Sequence, residues 1–167
     1  RSRGLGDVYK RQAEAIGLLC LQIFLAEENV SPADRAAMER GARALGSAFQ
    51  KINFLRDLRE DSSTLGRTYF QQAPSGRIDE ATKSALIAEI RRELATAALT
   101  IDLLPASARV GVSAAADIFA ELTNRLAATP ATDLTTTRVS VPNHTKAWLA
   151  ARAVRRRGHS KHVPHPA

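Results

Sequence analysis

Apolar positions recur with a helical period along most of this chain, and the breaks between them fall on residues that begin or end helices. Residues 13–29 are apolar almost all round, which predicts a buried first helix. Ser31 followed by Pro32 reads as the N-cap and first residue of a second, long helix over about 32–63. Gly66, Pro74 and Gly76 interrupt the pattern across 62–76. Asp79 then caps a third helix reaching Leu104, with Ala81, Ala85, Leu86, Ile90, Leu94, Ala97 and Ile101 at helical spacing. Pro105 ends it, and 108–128 repeats the pattern through Val112, Ala115, Phe119, Leu122 and Leu126. Residues 135–141 alternate like an extended segment until Pro142, and Asn143 starts a last helix to about Val154.

Composition agrees with helices. Thirty alanines and eighteen leucines stand against eight valines, which favours helix over strand. At 167 residues, 44% hydrophobic and 25% charged, the chain has the length and mix of one globular domain. Its longest apolar run, 15–26, is too short to span a bilayer. A single cysteine, Cys20, excludes a disulfide framework within the chain; on an apolar helix it reads as core. The expected setting is cytoplasmic, with at most peripheral membrane contact.

The net charge of +7 points to nucleic acid only until it is divided. Three of the seven charges lie in 1–12 and four in 155–167, so 13–154 sums to zero. Basic ends on a neutral body do not make a nucleic-acid-binding face. Residues 155–167, with His159, His162 and His165, read as a basic disordered tail. Residues 1–12 show no helical period, and 6–12 resembles translated sequencing-adapter sequence. They are therefore expected to be a non-native leader without regular structure, ahead of a domain over 13–154.

Candidate chemistry gathers on the second helix. At about 100° per residue, Gly46, Gln50, Asn53, Asp57 and Asp61 share one stripe, opposite Ile52, Leu55 and Leu58. Asp57 and Asp61 are like charges one turn apart, unfavourable by roughly 0.2–0.5 kcal/mol unless a cation sits between them. Arg56 is expected to pair with Glu60 on the flank, and Gly46 to leave the face open. A carboxylate–carboxylate–amide ladder suits a hard divalent cation such as Mg2+. The plainer reading, a solvated helix face, stands beside it. Lys146 in the first turn of the last helix opposes the dipole there, as it would beside a bound anion. Arg138, on the extended segment, is expected to share a face with Ser140.

Gln50, Asn53, Arg56, Asp57, Glu60 and Asp61, followed by Gly66, Arg67 and Tyr69, follow the pattern Q-x-x-N-x-x-R-D-x-x-E-D, then G-R-x-Y. The segment resembles the second aspartate-rich motif of the phytoene/squalene synthase family, with bacterial phytoene synthase the nearest likeness. The resemblance extends loosely upstream through Gly17 and downstream to 137–142 and Lys146. It implies an all-α isoprenoid-synthase helical fold, of which this chain would be the C-terminal portion, and head-to-head condensation of two prenyl diphosphates, geranylgeranyl or farnesyl, in carotenoid biosynthesis. By that likeness Asn53, Asp57 and Asp61 would hold Mg2+, or Mn2+ in its place. Gln50, Arg56, Arg67, Tyr69, Arg138 and Lys146 would hold diphosphate.

Two departures bear on it. Phe119 stands about where the family carries a tyrosine. No first aspartate-rich motif occurs in 13–154: Glu27/Glu28, Asp79/Glu80 and Glu89/Glu93 read as caps and exposed faces. The motif is expected upstream, in a longer protein. The alternatives are a squalene- or presqualene-forming relative and a non-catalytic family member acting as an assembly or scaffold protein.

Overall fold

The structure, a computed structural model, describes residues 5–58 and 78–157. Among the described residues five α-helices follow one another: α1 (Leu5–Phe24), α2 (Pro32–Asp57), α3 (Glu80–Ile101), α4 (Ala106–Ala128) and α5 (Asn143–Arg157). A single 3-10 turn, Asp133–Thr135, precedes α5, and the described residues contain no strand. The fold is all-α, as the residue pattern predicts, and consistent with an isoprenoid-synthase arrangement.

Local chemistry sets the helix starts. Ser31 Oγ accepts from the Asp34 backbone N–H at 3.1 Å and donates back to Asp34 Oδ2 at 2.8 Å, with Pro32 in the first turn. Asp79 Oδ1 accepts from Thr82 N–H at 2.7 Å; the Thr82 side-chain hydroxyl first, and this N–H second, hold the Asp79 carboxyl below the usual carboxylate range. The start of α3 is tied to the end of α4. The buried Lys83 Nζ donates to the Thr129 carbonyl at 2.6 Å, where a cation complements the helix C-terminus, and pairs with Glu80. Glu80 Oε2 in turn accepts from Ala131 N–H at 2.9 Å.

Helix α2 is the centre, packed by α1 on one side and α3 on the other, while α5 lies on α4. The main core joins Ile52, Leu55, Ile87, Ile90, Leu122 and Leu126. Full burial of each such side chain stabilises by about 1.5–3 kcal/mol. A smaller cluster of Leu21, Leu25, Met38 and Leu104 closes the other end of α2. Between α4 and α5, Val139 and Val141 turn into the core while Arg138 and Ser140 stay exposed. The expected alternation over 135–141 thus holds only for 138–141, because Thr135 closes the 3-10 turn and 136–138 are all exposed; the extended chain is pinned to helices rather than forming a ladder.

Several expectations are corrected. Helix α1 begins at Leu5, so residues 5–12 carry regular structure continuous with the rest of the helix. Helix α5 runs through Arg157, which places Arg155, Arg156 and Arg157 on a helix rather than in a tail. Arg155 and Arg156 are exposed there, and Arg156 is tied to Asp117 at 3.3 Å. Helix α1 is not buried all round: Ile16, Leu19 and Ile23 are more than half exposed, because α1 meets α2 along one side only. Cys20 is exposed as well, not core. The segment 62–76 and His159, His162 and His165 lie outside the described residues.

Gly46 does not open a face; it admits the α1 main chain. A Cβ at Gly46 would collide with the Ala13 carbonyl, and one at Gly17 with the Ala42 carbonyl. These glycines let α1 and α2 touch backbone to backbone. Gly46→Val is therefore expected to lower the unfolding free energy by about 2 kcal/mol, as overpacking does. At Gly111, exposed in mid-α4 with nothing near its missing Cβ, Ala should instead stabilise by about 0.5–1 kcal/mol. Urea denaturation of the two variants checks both signs.

Candidate functional site

Gly46, Gln50 and Asn53 succeed one another along α2 and line an apolar cavity of about 310 Å3. Its other walls come from α1 at Ile16 and Phe24, the end of α3 at Ile101, and α4 at Val112 and Ala115. Phe49, also on the wall, stacks on Phe119 with ring centroids 3.8 Å apart and planes 18° from parallel. The ring that stands in place of a tyrosine is thus packed against the cavity lining. Exposed Cys20 is part of the wall. The volume falls within the range of small-molecule sites.

Asn53 is the polar anomaly of this wall. Its Oδ1 is buried and has no hydrogen-bond partner among the described residues. A buried acceptor left unpaired costs about 1–3 kcal/mol, so the position calls for a cation or a donor. Asp57 follows one turn later on the same stripe. Its carboxylate is gripped side-on by the adjacent guanidinium: Arg56 Nε donates to Oδ1 and Nη2 to Oδ2, both at 2.8 Å. These hydrogen bonds hold the Asp57 carboxyl below its ordinary range against the opposing effect of burial, and the charges of Arg56 and Arg138 add to them. Because the folded value is lowered, the pair contributes stability at all pH above the unfolded-state value. That contribution is lost only as pH falls through the folded one.

Arg56 thus takes Asp57 as one partner; Glu60, the partner expected from the sequence, lies outside the described residues. Residues one apart on a helix do not share a face, but a long arginine side chain bends back far enough to meet its neighbour. Among the described residues each Asp57 oxygen accepts one bond, from Arg56, and a carboxylate oxygen with one such bond retains capacity for a metal ion. The donor set fits a hard divalent cation as far as it is described, with one carboxylate and one orphaned amide oxygen on successive turns. Asp61, the third member of the ladder, lies outside the described residues, as do Arg67 and Tyr69.

The exposed Arg138 comes near enough for its charge to act on Asp57. Lys146 is exposed in the first turn of α5, its main-chain N–H bonded to the Pro142 carbonyl at 3.0 Å. Gln50 is half-buried on the cavity wall. The described residues thus gather Gln50, Asn53, Arg56, Asp57 and Arg138 toward one end of α2. His144 is on the surface, and Trp148 is half exposed, with the Arg152 guanidinium 5.0 Å from its ring centre.

Sequence reasoning overlooked a polar cluster on the other side of α2. The Lys51 side chain is 5% exposed, and Nζ bonds both Glu89 Oε1 and Glu93 Oε1 at 2.6 Å. Ser47 Oγ donates to the same Glu93 oxygen at 2.8 Å. Glu89 and Glu93 are therefore not a plain exposed face but the α3 half of an interhelix bridge. The available signal was a lysine projecting between Leu55 and Leu58 on the apolar side of α2.

An all-helical domain with an apolar cavity and a carboxylate–amide pair near one end of it defines the class of site. Residues 9–74 match the family model for squalene/phytoene synthase, whose members are prenyltransferases. The match takes in most of α1, all of α2 and the motif through Tyr69, less than half of the chain, and it begins within the stretch expected to be a leader. No curated protein matches the chain.

Proposed function

We propose that this chain carries one acidic half of a head-to-head prenyl diphosphate condensing site of the phytoene synthase type. One observation carries the reading: on a single helix, an apolar cavity wall passes through Gln50 and Asn53 to the carboxylate of Asp57. That order matches a substrate with a long hydrocarbon and a charged diphosphate head. Asn53, Asp57 and Asp61 would hold Mg2+, or Mn2+ in its place, and the ion would neutralise charge on the departing diphosphate.

The chain's own groups do the rest. Arg56 keeps Asp57 ionised and oriented. Arg138 and Lys146, with Arg67, Tyr69 and Gln50, offer donors to the diphosphate oxygens, and such donors act most strongly where negative charge develops. The cavity between α1, α2 and α4 keeps water from the allylic cation left behind. Geranylgeranyl and farnesyl diphosphate are the candidate substrates. A squalene-forming relative shares every group named, since chain length is set by cavity depth. The Phe49–Phe119 stack, which leaves no hydroxyl at that position, favours a non-catalytic scaffold reading as the second choice.

Arg138→Ala and Lys146→Ala are expected to raise the Michaelis constant for the prenyl diphosphate about tenfold each in an enzyme carrying this chain. Both side chains are exposed, so unfolding temperature should stay nearly unchanged. A normal Michaelis constant in both variants would remove the basic pair from the site. Without a first acidic motif in 13–154, the 167-residue chain by itself should make no C30 or C40 product from these substrates and Mg2+. Product formation by the purified chain would show that it needs no second acidic half. Diphosphate and Mn2+ binding without turnover, in an enzyme that has both motifs, would favour the scaffold.

A further inference from the structure

The polar bridge between α2 and α3 lies away from the cavity. At about 100° per residue, Lys51 is about 160° round the helix from Asn53. Its Nζ sits between two α3 carboxylates one turn apart, Glu89 and Glu93, at 2.6 Å from each. Buried Ser47, one turn earlier on the same side of α2, donates to the same Glu93 oxygen at 2.8 Å. Around this bridge the two helices share the apolar core of Ile52, Leu55, Ile87 and Ile90. Apolar contact is non-directional, whereas short charge-assisted hydrogen bonds have a fixed geometry. Ala85 and Ala97 flank the two glutamates at the same spacing. A slide of α3 by one turn, about 5.4 Å, therefore leaves Nζ one carboxylate instead of two.

The two halves of the proposed diphosphate site belong to opposite sides of this contact. Asn53 and Asp57 are carried by α2. Arg138 and Lys146 are carried by the chain after α4, and that chain is fastened to α3. Val139 and Val141 enter the same core as Ile87 and Ile90. Lys83 donates to the Thr129 carbonyl at 2.6 Å, and Glu80 accepts from Ala131 N–H at 2.9 Å. We infer that Lys51 is a positioning residue for diphosphate: its bridge to Glu89 and Glu93 sets the register of α2 on α3, and with it the span from the metal-binding stripe to the basic pair. Fixing register is the best-attested use of a buried polar group. Lys51 touches neither ion nor substrate. The inference rests on the diphosphate reading above and separates two affinities within it. A metal ion needs ligands from α2 alone, whereas diphosphate must reach both halves at once.

In the full chain, Mn2+ binding is measured by electron paramagnetic resonance, and binding of inorganic diphosphate at saturating Mn2+ by calorimetry. Lys51→Met/Glu93→Met replaces the buried pair by apolar groups of similar size, so the fold is kept while the register loses its pin. Its helical circular dichroism and its affinity for Mn2+ alone should be unchanged. Diphosphate should bind about tenfold more weakly, the worth of one misplaced hydrogen bond to a charged group. Glu93→Gln keeps an acceptor oxygen for Lys51 and Ser47 and should bind diphosphate as the parent does. Lys51→Gln, a shorter and uncharged donor, makes the same measurement should the double variant not fold, with the same split expected. Parent-like diphosphate affinity without the Lys51 cation would overturn the proposal and leave the bridge purely structural. Equal losses of Mn2+ and diphosphate binding would overturn it too, since α2 itself would then be distorted. No Mn2+-dependent diphosphate binding by the parent would remove the site on which the inference rests, a failure visible before any variant is made.

Discussion

Asp57→Asn is expected to lower condensation by at least two orders of magnitude in an enzyme carrying this helix, with Asp61→Asn doing the same. The substitution keeps shape and removes one anionic oxygen, so the loss is that of a group whose work lies in stabilising developing charge. Single stabilisers of that kind are worth about a hundred- to a thousandfold in turnover. Asp57→Asn also costs Arg56 one of its two hydrogen bonds at 2.8 Å, since an amide nitrogen cannot accept, so a shifted guanidinium could mimic the effect. Arg56→Gln separates the two causes, because it leaves the carboxylate in place. Its turnover should fall less than that of Asp57→Asn and recover more with added Mg2+. Near-normal turnover in both aspartate variants would remove the metal assignment.

The second large effect is on stability and lies on the opposite side of α2. Lys51→Met should lower the unfolding free energy by about 3 kcal/mol, because it strips a mostly buried carboxylate of its counter-charge. Glu93 is 16% exposed and its Oε2 already has no partner among the described residues. Ser47 alone would then remain to satisfy it. Glu89, 40% exposed, can turn to water and should matter little. Lys51→Met/Glu93→Met replaces the pair by apolar groups of similar size and should recover most of the loss. Urea denaturation of the single and double variants measures the coupling. A single variant within 1 kcal/mol of the parent would mean that water reaches Glu93.

What could be read in the residues divides along physical lines. Ser31-Pro32, Asp79, Pro105 and Asn143 are local punctuation, and each marks a helix start within two residues of the observed one. The apolar side of α2 is equally local: Ile52, Leu55 and Leu58 project together and are all buried. The stripe of Gly46, Gln50 and Asn53 survives as a cavity wall for the same reason.

Failures came where a neighbouring helix decides. Nothing near Gly46 announces that the Ala13 carbonyl lies against it, so an open face was expected where two backbones touch. Lys51 was visible on the apolar side, but its partners are some forty residues away on α3. The outward exposure of Ile16, Leu19 and Ile23 depends on which helices surround α1, information no period carries. Residues 5–12 lack a cap and a clear repeat, yet they extend α1, since a helix once nucleated adds residues readily.

The metal–diphosphate site at the end of α2 is a proposal. Anomalous diffraction from crystals of the chain grown with Mn2+ and inorganic diphosphate tests it most directly. The account predicts a manganese peak at about 2.0–2.2 Å from an Asp57 oxygen and within reach of Asn53 Oδ1, the Mg2+-like coordination distance. Diphosphate should lie on the side of Arg138. Diphosphate bound without manganese near Asp57, or manganese bound only at sites away from the Asn53–Asp57 stripe, would contradict it.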